Sequence, residues 1–464
     1  MPAPVGNSFV ALMLLGYLPI CVGMFWLMPT RRAIVFSLLA GWLFLPVAGV
    51  PLPIPLLNFT KLTAVSLGVF VAAALMDARP LMAYRPRLID LPMIVFCVSP
   101  FMSSVMNGLG AKDGMVEMTN RTFEWGLIYM VGRCYLGSLP GLRDVAIGIV
   151  IGALVYVPFC LIESRFSPQF HAWVYGFYQH DFVQTMREDG AFRPMVFMQH
   201  GLAVALFMAA ATLVSAWMWY TGALPRIMGM NSVWPTFALL VTTIGCKSMG
   251  AVLLMFAGLG TLFSLRTFRS GVFLAILIFV APAYMITRSS GLLDGQRLVS
   301  LTKTYANQQR ADSLETRVIN EDRLVNKALQ ARWVGWGGWG RARVVDEFGH
   351  DITITDGMWV IYLGNNGLVG LISFTAVLLV PIIALWWRYR LMYWSAPAFA
   401  PAVALSVVLV IFMIDSLANA MISPIFVLCA GSISGLTVVQ YRAPKAVAVT
   451  PQRSRLVRTP AAVV

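Results

Sequence analysis

Apolar runs about as long as a bilayer is thick recur along this chain, and a chain that crosses lipid must satisfy its backbone within the segments that do so. They lie near 8–28, 33–50, 62–76, 88–106, 122–138, 145–162, 195–220, 233–246, 249–264, 271–286, 366–386, 397–414 and 418–439. With 59% hydrophobic and 12% charged residues and a mean hydropathy of +0.76, a soluble globular protein is excluded. The expectation is an all-α polytopic membrane protein of about 12–13 transmembrane helices. The first ten residues lack a basic flank, so the first run is expected to remain as a helix and not be cleaved as a signal.

Basic residues collect in alternate loops, as the positive-inside rule requires. Sixteen fall on one side, among them Arg31, Arg32, Arg79, Arg85, Arg87, Arg143, Arg266, Arg388 and the tail beyond Tyr441. The short loops opposite hold seven, including Lys61, Lys112, Arg193 and Lys247. This places the C-terminus in the cytoplasm and the long polar loop on the outer face. Much of the net charge of +14 is then a topology signal, and nucleic acid is not an expected partner. The lipid bilayer is, and the basic tail is read as a disordered segment attracted to anionic lipid.

Cysteines fall in or beside apolar runs and have no metal-ligand spacing, so neither disulfides nor zinc are expected. Gly148-Ile-Val-Ile-Gly152 and Gly431-Ser-Ile-Ser-Gly435 would let helix backbones approach closely. No internal repeat is visible, which counts against an inverted-repeat transporter.

One long hydrophilic stretch, 287–355, interrupts the pattern, and long polar loops in compact helical proteins are usually functional. The chain therefore divides into transmembrane helices over 1–286, an outer, functional loop over 287–356, further transmembrane helices over 357–440 and the tail 441–464. Within the loop, 314–330 forms an amphipathic helix on a helical wheel, with Leu314, Val318, Leu324, Val325, Ala328 and Leu329 in one apolar arc. Arg317 and Glu321 project inside that arc, and Arg323 and Lys327 point away. A charge on the buried side needs a partner or a ligand. The plain alternative is an Arg317–Glu321 pair one turn apart.

Gly335-Trp-Gly-Gly-Trp-Gly340, followed by Arg341 and Arg343, offers backbone N–H groups and guanidinium forks to a phosphate, although its spacing matches no Walker loop. Trp336 and Trp339 are either interfacial anchors or platforms for sugar faces. Asp356 lies at the mouth of a membrane helix with His350 and Asp351 shortly before it. That placement suits exchange of a proton with a hydroxyl, and it also suits helix capping by Thr355 or Asp356. Arg193 is expected to open a helix, and Lys247 sits between two apolar runs on the same side as the loop. Either is a functional candidate or a snorkelling interface residue. Arg133 and Asp415 are weaker cases of the same kind.

Over roughly 190–375 the chain resembles the O-antigen ligase and O-antigen polymerase superfamily of bacterial membrane glycosyltransferases. The resemblance rests on Arg317 with Gly335-Trp-Gly eighteen residues later, the Gly367-Leu-Val-Gly370 helix entry, the Arg193 segment, and Lys247-Ser-Met-Gly where the family often has Ser-Arg-Gly. The chain departs from the pattern at Asp356-Gly357, where a His-Asn pair is usual, and at Trp333, where a proline is usual. The resemblance implies transfer of a glycan from an undecaprenyl-diphosphate carrier to an acceptor glycan or lipid A core at the periplasmic face, with no cofactor or metal. It gives Arg317, Arg193, Lys247 and Arg323 the diphosphate, Asp356 or His350 the base role, and Trp336 and Trp339 the glycan.

The chemistry is consistent with that assignment. Arginines stabilise a departing diphosphate by charge-assisted bidentate bonds, as a metal ion would. The outer loop 51–60 holds no Asp or Glu, so the acidic metal site of many polyprenyl-phosphate transferases is not visible there. A ligase, a polymerase with the same donor chemistry, and a polytopic transporter or flippase all stay open. The last predicts ionisable groups deep in the bundle.

Overall fold

The computed structural model describes residues 6–51, 57–187, 190–293, 308–338 and 340–438. The tail 441–464 and Trp339 lie outside them, so expectations about both are untouched. The described chain is helical, with two small strand pairs: Gly49–Val50 with Phe59–Thr60, and Arg226–Ile227 with Met230–Asn231. Every expected apolar run forms a helix. Six are long and apolar enough to cross a membrane alone, namely Leu88–Met106, Leu139–Phe166, Gly201–Tyr220, Met249–Thr267, Val272–Ser289 and Met358–Arg388. A seventh forms if Ser8–Leu15 and Tyr17–Leu27, bent by 44°, count as one span. Lys61–Met76, Val233–Gly245, Ala400–Asp415 and Pro424–Val438 are shorter apolar helices. The chain is an all-α, multi-pass membrane protein.

Gly201–Tyr220, Ala400–Asp415 and Pro424–Val438 are buried on nearly every side, as helices apolar all round must be. Most of their hydroxyls bond one turn back, as Thr212 does to the Met208 carbonyl and Ser406 to that of Ala402, although the buried Ser434 hydroxyl has no hydrogen-bond partner among the described residues. The small-residue motifs do pack helices. A Cβ on Gly431 or Gly435 would strike the backbone of Tyr129 or Gly137, and one on Gly148 would strike Val35.

Among the helix boundaries that differ from expectation, two have a clear local reason. The run at 195–220 becomes helical only from Gly201. Before it, the buried Glu163 carboxylate takes the N–H groups of Met195 and Val196 at 2.9 and 2.7 Å, and the His200 ring caps that of Leu202. Arg193 therefore stands in an irregular segment and opens no helix. The run at 366–386 begins earlier, at Met358, and its helix breaks at Gly367, whose φ of 63° is left-handed.

Charged loops separate onto two faces. Arg31 and Arg32 approach Asp144, and Arg133, Arg87, Arg85 and Arg31 line one cavity with Val438. Opposite, Asn58 meets Asn120, Lys61 meets the Phe197 carbonyl, and Met358 bonds to Ser416. Arg133 is structural: it pairs with the buried Asp90 at 3.1 Å, and Asp90 also accepts the Tyr129 hydroxyl.

Candidate functional site

The break in helix Met358–Arg388 organises the loop face. Around Gly367 the helix cannot supply its own hydrogen bonds, and the segment 332–337 supplies them instead. The N–H groups of Trp336 and Gly337 donate to the carbonyls of Gly364 and Asn365 at 2.8 and 3.0 Å. Those of Leu368 and Val369 donate to Arg332 and Trp333 at 2.7 and 3.2 Å. Asn107 and Ser103 add side-chain bonds to the Gly335 and Asn365 carbonyls. The two backbones run so close that a Cβ on Gly335 would lie 2.5 Å from Asn365. This corrects the expectation of a phosphate cradle, because the Gly335, Trp336 and Gly337 amides are already engaged within the protein.

The loop helix runs over Gln308–Leu329 and lays Val318, Leu324, Val325 and Ala328 on helices Val272–Ser289 and Met358–Arg388. Arg317 does not pair with Glu321. The Glu321 carboxylate instead accepts Tyr284 at 2.8 Å and Arg288 at 2.6 Å, and Arg288, itself buried, also reaches Asp322 at 2.9 Å. Arg317 is left to approach Asp356, with Nε 3.4 Å from the carboxylate. Asp356 is held from both sides: Asn320 accepts the Ile354 N–H, and Gly357 packs against the Leu417 carbonyl where a Cβ would not fit. Burial raises the Asp356 pKa, and Arg317 is the one charge that opposes the shift.

Arg317, Asp356, Glu321 and Tyr284 line a cavity of about 230 Å³ closed by Val318, Val360 and Leu417. A cluster of cations lies near it. Burial first, and then repulsion from Arg187 and Arg317, pulls Arg193 down to about 10, so the three guanidinium groups share one region. Arg193 bonds through Nη2 to the Lys247 carbonyl at 3.0 Å, while its buried Nε has no hydrogen-bond partner among the described residues. Lys247 itself turns out from a left-handed backbone (φ 53°) between two helices. Burial and the neighbouring His180, Arg193, Arg187 and Arg317 hold His200 down to about 4, so its ring is neutral at physiological pH. Asp415, buried at a helix end and bonded to the Asn419 amide at 2.8 Å, also lies within reach of the Arg317 charge.

Of the residues singled out in the sequence, Arg317, Asp356, Arg193 and Lys247 thus share the loop face, the first two in contact. His350 does not join them. It sits in a turn closed by the Val345–Asp351 bridge and capped by Asp346, which accepts its N–H, lies largely exposed, and faces the Asp346 carboxylate at 3.4 Å. Arg323 is exposed away from the cavity lining. Trp336 is no open sugar platform, since Lys327 sits 4.0 Å above its ring and the indole N–H is bonded to the Lys327 carbonyl. The Tyr284–Arg288–Glu321 group and the contribution of Arg187 are not evident from the sequence. Their one trace in the sequence is an arginine ending an apolar helix, as Arg288 does.

No known-family model matches the chain, and a search of curated proteins returns no match.

Proposed function

We propose that this protein is a metal-independent glycosyltransferase of the bacterial inner membrane, which moves a glycan from an undecaprenyl-diphosphate carrier to an acceptor hydroxyl at the periplasmic face. The observation that carries this is the Arg317–Asp356 contact inside a cavity, beside the cation cluster of Arg187 and Arg193. A diphosphate is the ligand that most rewards several guanidinium groups in a part-buried place. Arg317 and Arg193 hold it, and Lys247 adds charge. Donor binding draws Arg317 off Asp356 and removes the charge that lowers its pKa, so the carboxylate becomes a stronger base as the donor arrives. Asp356 then takes the acceptor hydroxyl proton, the oxygen bonds to the anomeric carbon, and the carbon–oxygen bond to the diphosphate breaks with its electron pair on the leaving group.

Among the described residues, the buried ionisable groups Lys61, Asp90, Glu163, Arg288 and Asp415 stand at or near helix ends, and the mid-helix Arg121 and Glu124 line a cavity that also meets the loop at Gly338 and Thr355. This favours transfer over transport, which asks for charges along a central path.

The test is surface-polysaccharide banding in a deletion strain complemented with wild type, Arg317→Ala or Asp356→Asn, each checked for membrane insertion. Wild type restores the glycan and the variants do not. Accumulated full-length lipid-linked polymer marks a ligase, and single repeat units mark a polymerase. Unchanged glycan on deletion, or full complementation by both variants, overturns the proposal in favour of a transporter.

A further inference from the structure

A second cavity, about 390 Å³, shares a wall with the first. Asp356, Gly357 and Val360 line one side of that wall, and Thr355, Met358, Ile361 and Tyr362 line the other. Its size is within the ~300–1,000 Å³ of small-ligand pockets. Arg121 enters it clamped between two aromatic rings, its guanidinium carbon 4.6 Å from the centres of both Phe96 and Tyr362. Although Arg121 Nη1 is buried, it has no hydrogen-bond partner among the described residues, and neither does the buried Oδ1 of Asn366 beside the helix break. Glu117 and Glu124 line the same space. The helix that carries these three charges passes through a π turn, Thr122–Gly126, a feature that recurs at functional sites.

Charge distinguishes the two cavities. The first cavity's own lining sets Arg317 against Asp356 and Glu321, with Glu321 already paired to Arg288, and the neighbouring Arg187 and Arg193 tip that region toward cations, whereas here two arginines face two glutamates, and Arg343 is already tied to Asp351. An anion gains nothing from such a balance. A polyhydroxylated neutral ligand does, since carboxylates accept from its hydroxyls while guanidinium and amide groups donate to them. Leaving buried donors and acceptors unmade is costly, so the orphaned Arg121 and Asn366 atoms mark where that ligand bonds.

We infer that this second cavity binds the sugar whose hydroxyl accepts the glycan, through Glu117, Glu124, Arg121 and Asn366. The inference rests on the proposed transfer reaction, in which Asp356 stands on the wall between donor and acceptor.

The experiment titrates the full-length protein in nanodiscs with three probes: lipid-free, dephosphorylated core oligosaccharide; a lipid-free repeat unit of the same cell's surface polysaccharide; and inorganic pyrophosphate. Glu124→Gln and Arg121→Lys weaken oligosaccharide binding about tenfold or more and leave pyrophosphate unchanged, while Arg317→Ala does the reverse. Glu117→Gln, on a half-exposed helix face, repeats the measurement should either deeper variant fail to fold. The inference is overturned if neither sugar binds wild type saturably, if all three cavity variants bind sugar as wild type does, or if Arg121→Lys weakens pyrophosphate instead. Sugar binding that depends on Arg121 in a protein that restores no glycan would sink the transfer proposal alone. Normal glycan with variant-insensitive sugar binding would sink only the acceptor site.

Discussion

Asp356 carries the clearest consequences of any single residue. Its folded-state pKa is raised above the ordinary ~3.9, so the folded protein binds this proton more tightly than the unfolded chain does. The stability contributed by protonation is complete below the unfolded value and is lost as pH rises through the folded one. At neutral pH the charged carboxylate is therefore a small burden on the fold. Asp356→Asn should keep or slightly raise the melting temperature at pH 7 while lowering transfer by about 10²–10⁴-fold, the usual weight of a general base. A large fall in melting temperature would instead make the Arg317 contact structural. For wild type, transfer should fail on acidification at a pH above the ordinary aspartate value, read from initial rates against pH. Nothing in the sequence separated Asp356 from His350, because both are polar residues of one loop. Burial separates them, with Asp356 against the bundle and His350 in solvent.

At the scale of elements, the segment 332–337 and the broken helix are one unit. Each supplies the hydrogen bonds the other lacks, which is how irregular backbone survives inside a membrane protein. Gly335 and Gly367 are needed for both their left-handed φ and their close approach. Gly335→Ala or Gly367→Ala should cost about 3 kcal/mol or more, since backbone strain and overlap with the facing chain combine. Gly338 is also left-handed, but its nearest neighbour would be 3.5 Å from a Cβ, so Gly338→Ala should cost only about 1 kcal/mol. Thermal unfolding of purified variants measures the contrast. Equal effects would mean the latch adds nothing beyond backbone preference. The Trp/Gly run was visible as unusual in the sequence, yet its partner was not, because the bonds join positions about thirty residues apart with no shared pattern.

For the whole molecule, the sorting of charge onto two faces predicts one orientation in the bilayer. Single cysteines at Phe348 or Lys112, in a background with the part-buried Cys134 replaced by Ser, should react with a membrane-impermeant maleimide added outside the cytoplasmic membrane. Cysteines at Arg85 or Arg266 should react only after permeabilisation. The reverse pattern would put the Arg317 cavity in the cytoplasm, where no periplasmic transfer is possible.

Apolar length and the alternation of basic loops sufficed to read the helical class and the grouping of the polar loops from the sequence, because hydrophobic burial and the positive-inside bias act on local composition. The amphipathic loop helix was equally legible, since its period is local. The assignment of Arg317 to Asp356 and of Glu321 to Arg288, the latch on the broken helix, and the second cavity around Arg121 were decided by tertiary structure. Each is a contact between distant segments, and which partner a buried charge finds depends on the helices packed around it.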